Sequence, residues 1–124
     1  MFLAFIALGS AACPLGVPPE QATLSSLRSD IFEPRCGFTG CHGGAGAAAG
    51  LELVEDPFAA LVEVPSTEDA AMMRVAPGDP DASLLFHVLQ GPVGSTGQMP
   101  VGSELGAEDL ARVEAWIANG APND

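Results

Sequence analysis

The chain has 124 residues, 16 of them Asp or Glu and 4 Lys or Arg, giving a formal net charge of −12. Such a surface repels nucleic-acid phosphates and anionic membrane faces, which excludes a polynucleotide binder; it favours partners with basic patches, or serves solubility alone. Six Phe, one Trp and no Tyr make a thin aromatic core for one small domain, which would gain from a large apolar cofactor to pack on.

The first residues are an apolar run that closes on Ser10-Ala11-Ala12. This predicts an export signal over 1–12, too short to cross a bilayer as a helix. Two processing routes fit. Ser10-Ala11-Ala12 obeys the small-x-small rule of an ordinary signal peptidase, whereas small residues directly before Cys13 resemble a lipoprotein cleavage box in which Cys13 becomes the acylated N-terminus. Ser10 stands where that box carries Leu, and no Lys or Arg precedes the run. Three cysteines in an exported chain leave one odd, which favours the lipid route; the alternative is a free thiol in a leader. Residues 13–23, with Pro14, Pro18 and Pro19, read as an extended spacer that holds the following domain off an anchor.

Leu24, Leu27, Ile31 and Phe32 share one helical face, with Thr23 as cap and Pro34 expected to close the helix. Cys36-Gly37-Phe38-Thr39-Gly40-Cys41-His42 follows at once. Two thiols with an imidazole directly after the second are a widened c-type haem attachment signature: thiolates add to vinyl groups and the imidazole ligates the iron. Gly37 and Gly40 permit the bulge that four intervening residues require. Gly43 to Gly50 is a Gly/Ala loop, and it lacks the Lys and the preceding strand of a phosphate cradle.

Asp56-Pro57 predicts a short helix over 57–63, and Asp79-Pro80 repeats the device before Leu84, Leu85, Val88 and Leu89, a face expected to end at Gly91. Residues 65–79 read as loop, with Met72 and Met73 inside it. Gly97-Gln98-Met99-Pro100 then offers a thioether in a Gly- and Pro-rich segment, the soft ligand expected opposite histidine. In the last helix Leu105 can staple onto Leu110, Glu108 and Asp109 suit the positive end of the dipole, and Gly120 stops the helix ahead of Pro122. Leu110, Val113 and Ile117 form its stripe, with Trp116 beside it. No convincing period-two pattern occurs.

The Cys36 to His42 motif, Met99-Pro100 and the closing helix with Trp116-Ile117-Ala118-Asn119-Gly120-Ala121-Pro122 resemble the class I cytochrome c family. The likeness is to the secreted bacterial domains with a C-x-x-x-x-C-H motif, over about residues 24–122. The resemblance implies an all-α fold: a small cytochrome c-like domain of about four short helices, its long loops wrapped around one covalent haem, the last helix crossing the first. It implies haem c held by Cys36 and Cys41, iron ligated by His42 and Met99, and single-electron exchange with redox protein partners in the periplasm or cell envelope.

Other readings compete at several positions. Cys36 and Cys41 could form a disulfide that staples a non-redox, haem-less interaction module, a reading kept open by the widened spacing. A zinc site would use Cys36, Cys41, His42 and His87. Met72, Met73 and His87 are the other residues able to provide a sixth ligand, and Arg74 is either a propionate partner or a solvated loop cation. No Ser-His-Asp order, paired acid/base carboxylates or nucleotide fingerprint is visible, so the expectation is an electron carrier and not a catalyst.

Overall fold

The computed structural model describes residues 16–68 and 71–124. The export signal and Cys13 lie outside the described residues. Among those residues helices are the only regular elements, joined by long loops and a few isolated bridge pairs.

Helix α1 (Leu24–Leu27) starts where the Thr23 hydroxyl accepts the Ser26 N–H at 3.1 Å, a capping bond for one of the donors left free at a helix start. The chain's last residue completes the cap: the Asp124 carboxylate accepts the Leu24 N–H at 2.8 Å and its main-chain oxygen the Ser25 N–H at 3.0 Å. The helix does not stop at Pro34. It continues as a π-helix over Arg28–Cys36 with Pro34 inside. The wider winding relieves the clash that a proline ring makes in an α-helix with the carbonyl four residues earlier. Side chains four to five apart then stack, so Leu27, Ile31, Phe32 and Cys36 follow one inward face. Leu27, Ile31 and Phe32 are essentially inaccessible to solvent.

Helix α2 (Pro57–Leu61) begins at Asp56, whose carboxylate accepts the Ala59 N–H at 3.1 Å. It ends two residues short of the expected 63. Val62 turns extended because residues 62–66 pair with 72–75 instead: Glu63 N–H to the Val75 carbonyl (3.0 Å), Arg74 N–H to Val64 (2.7 Å) and Ser66 N–H to Met72 (2.9 Å). Part of the stretch expected as loop is therefore a paired ribbon.

Asp79-Pro80 starts only a 3₁₀ turn (Pro80–Ala82), and α3 (Leu84–Val88) follows after a break at Ser83. The fully buried Ser83 hydroxyl accepts the Ala76 N–H and donates to the Asp79 carbonyl, both at 2.8 Å, which holds its own backbone extended. That frees the Leu84 and Leu85 N–H groups to bond Met73 and Arg74.

Helix α4 (Ala107–Ala118) lies against both α1 and α3. Val113, Trp116 and Ile117 are fully buried and Leu110 packs at the edge of the same core. Each such aliphatic side chain contributes about 1.5–3 kcal/mol by leaving water. The Trp116 indole N–H donates to the Pro122 carbonyl at 2.9 Å, closing the C-terminal turn over the core.

Residues 17–22 are not an extended spacer. Val17 and Ala22 are buried against Ala115 of α4, around a 3₁₀ turn at Pro19–Gln21. The Gln21 carbonyl accepts from Arg112 Nε at 2.9 Å. Arg112 is itself buried, and its other nitrogens pair with Asp30 (2.7 Å) and Asp109 (3.3 Å). One guanidinium thus joins the N-terminal turn, the π-helix and α4, and its hydrogen bond holds the Asp30 carboxyl below the usual carboxylate range. Small apolar residues opposite an alanine-rich helix face explain the docking, because short side chains allow close approach.

Candidate functional site

The π-helical end carries Cys36 onto the inward face already occupied by Ile31 and Phe32. The next six residues fold back on it. The Cys41 N–H bonds the Phe38 carbonyl at 2.9 Å, a tight turn in which Gly40 takes φ 87°, and the His42 N–H bonds the Cys36 carbonyl at 2.9 Å. This closure absorbs the two extra residues of the widened motif and returns Cys41 and His42 to the neighbourhood of Cys36. Gly43 completes it by close approach, since a β-carbon there would run into the Gly37 carbonyl. From outside, the Ala48 N–H bonds Cys41 (2.6 Å) and the Leu53 N–H bonds His42 (2.8 Å).

The imidazole is oriented by the backbone. His42 Nδ1 lies 2.8 Å from the Leu51 carbonyl oxygen. A carbonyl can only accept, so Nδ1 carries the proton and Nε2 keeps its lone pair, the tautomer that a metal-ligating histidine needs.

Cys36, Cys41, His42 and Met99 all line one cleft of about 350 Å³. That volume falls in the range of about 300–1,000 Å³ typical of cofactor and ligand sites. Met99 is placed by its N–H bond to Val88 at 2.9 Å, so α3 supports the methionine segment. Most of the remaining lining is apolar, from Phe32, Leu53, Leu85, Val88 and Leu89. Two thiols, an oriented imidazole and a thioether on one apolar cleft are the donor set and the surroundings that a covalent haem requires.

The competing ligands lie elsewhere. The His87 Nε2 bonds the Asp81 carbonyl, and His87 does not line the cleft although Leu85 and Val88 of the same helix do. The four-donor zinc set is therefore not assembled, and among the described residues no group of three or more His, Cys, Asp or Glu is arranged to hold a metal ion. Met72 and Met73 belong to the paired ribbon. Arg74 is half-buried and does not line the cleft: its guanidinium donates to the carbonyls of Ala60 (3.0 Å) and Ala49 (2.9 Å). Cys36 and Cys41 are free thiols in this structure, Cys36 half-buried and Cys41 exposed. Burial pushes the Cys36 thiol from 9.0 up to about 11.

Arg35 escaped the sequence reading. Among the described residues it is the only charged side chain lining the cleft, where its Nη2 donates to Ser103 Oγ and the Glu104 carbonyl, both at 3.2 Å. Its position next to Cys36 on a winding helix was the available signal. None of the 16 acidic residues falls within 34–51 or 82–103, the segments that supply most of the cleft lining. The mouth is instead flanked by Phe38 and Val101, 58% and 78% exposed. No protein family, curated protein or solved structure matches this chain.

Proposed function

We propose that this protein is an extracytoplasmic c-type cytochrome, an electron carrier and not a catalyst, that binds one haem covalently and exchanges single electrons with redox protein partners. The observation that carries this reading is the convergence of Cys36, Cys41, His42 and Met99 on one apolar cleft, with His42 in the ligating tautomer. Cys36 and Cys41 would hold the haem as thioethers, with His42 and Met99 as iron ligands. When bound, the haem supplies a reversible one-electron couple.

The residues of the chain supply the rest. Leu51 keeps the imidazole in register, the apolar walls exclude water and keep the local dielectric low, and Arg35 is the one cation available to an anionic group at the cleft. The mouth is free of acidic residues while the body carries −12, so a fitting partner has an apolar centre with basic residues around it. The leader over 1–12 supports export to the periplasm or cell envelope, with Cys13 the candidate for acylation.

The test is expression with export and a haem-maturation system that accepts C-x-x-x-x-C-H motifs. The expected product keeps its pigment when denatured and gains the mass of one haem, and Cys36→Ser/Cys41→Ser loses both. Colourless protein from a host shown to mature other such motifs would overturn the reading.

A further inference from the structure

Met99 sits in a segment with few bonds of its own. The N–H of Met99 reaches Val88, the Ser103 N–H reaches the Pro100 carbonyl at 3.3 Å, and Leu105 beyond is buried in the core. Between those anchors the 100–104 stretch includes Val101, the most exposed large hydrophobic side chain of the described residues. The contact that ties this stretch to the cysteine-bearing helix end comes from Arg35, one residue before Cys36. Its Nη2 is shared between a side-chain and a main-chain acceptor at Ser103 and Glu104, so the thiol-bearing helix end and the methionine-bearing loop are joined by one guanidinium.

We propose that Arg35 is a positioning residue for the distal ligand: it latches the 99–104 loop to the end of the cysteine-bearing helix and so keeps the Met99 thioether at the cleft. This rests on the haem reading above. A thioether is a weak ligand, so its hold on iron depends on how tightly the chain confines it. A loop that opens a larger fraction of the time surrenders the position to any added ligand in proportion. Lysine is a poor replacement for the latch, because its strongly hydrated ammonium sits on a shorter and more flexible stem than the Nη2 that meets both acceptors. A role through charge alone would survive that substitution.

The experiment titrates imidazole into ferric holoprotein while following the sulfur-to-iron charge-transfer band, for wild type, Arg35→Met, Arg35→Lys and Ser103→Ala. Arg35→Met and Arg35→Lys should each bind imidazole about tenfold more tightly and show a weakened band, as expected when a charge-assisted hydrogen bond no longer confines the competing ligand. Ser103→Ala, which removes one acceptor and leaves the charge in place, should shift affinity the same way by less. Covalent haem content should be unchanged in all of them. Wild-type affinity in Arg35→Met, or in Arg35→Lys alone, would overturn the latch while leaving the haem assignment intact. Wild-type protein that carries no covalent haem would overturn both.

Discussion

His42 and Leu51 are joined by a 2.8 Å hydrogen bond from the imidazole Nδ1–H to the main-chain carbonyl. Because the acceptor is backbone, it neither titrates nor depends on the Leu51 side chain. Leu51 is itself held by an N–H bond to Ala48, whose own N–H bonds Cys41. The Cys36 to His42 segment thus builds the support that orients its own imidazole. Nitrogen NMR of the haem-free protein should accordingly find neutral His42 protonated at Nδ1 and pyridine-like at Nε2. The opposite tautomer would remove this support for the ligand assignment.

On the haem reading, Met99→Ala should leave attachment intact, since both thiols remain, and should abolish the sulfur-to-iron charge-transfer band while admitting exogenous ligands. Met99 is only half-buried, so the cost in stability should fall below the ~2–5 kcal/mol of a fully buried methionine. An unchanged spectrum would make Met99 a packing residue only.

The Cys36 thiol gives a pH signature in the haem-free protein. Its value is raised from 9.0 to about 11 by burial, so the folded state holds the proton more tightly than the unfolded chain does. That contribution is complete below about pH 9 and is lost as pH rises toward 11, by at most about 2–3 kcal/mol. The sequence has neither Lys nor Tyr to titrate across this range. Urea midpoints across this range should fall for wild type and fall less for Cys36→Ser. Equal slopes would show that Cys36 is not the titrating group.

Gly43→Ala should damage the site where Gly46→Ala does not. A β-carbon at Gly43 meets the Gly37 carbonyl, a backbone atom that cannot swing away, whereas one at Gly46 meets nothing within 4 Å. Overpacking of this kind costs about 1–3 kcal/mol. Covalent haem yield and denaturant midpoint should drop for the first variant and stay at wild-type values for the second.

Trp116→Phe tests the closing turn. The ring is fully buried and its N–H donates to the Pro122 carbonyl at 2.9 Å. Phenylalanine fills less space and leaves that carbonyl without its donor, so a loss of about 1–3 kcal/mol is expected in urea unfolding. A change under about 0.5 kcal/mol would show that solvent replaces the bond.

Local signals were readable where a side chain acts on its own backbone. Thr23, Asp56 and Asp79 all cap the turns that follow them, and the Leu110, Val113, Ile117 stripe faces the core. Cys36, Cys41, His42 and Met99, singled out by residue type and spacing, line one cleft. What escaped depends on distant partners. Pro34 reads as a stop only if the winding is assumed to be α-helical. Val62 leaves α2 for a partner at Val75, and Arg74 is claimed by carbonyls at Ala49 and Ala60 that no sequence window contains.

The burial of Val17 against α4 sets a leash length. A spacer over 13–23 would let the domain range some 35 Å from an acylated Cys13, at about 3.3–3.6 Å per extended residue. With Val17 docked, the chain between Cys13 and Val17 can span at most roughly 14 Å. A lipid at Cys13 would then hold the face of α4 that carries Ala111 and Ala115 close over the bilayer and restrict the protein's tumbling. Exchange would be favoured with partners in or on the same membrane sheet, and lengthening the chain just before Val17 should widen that choice.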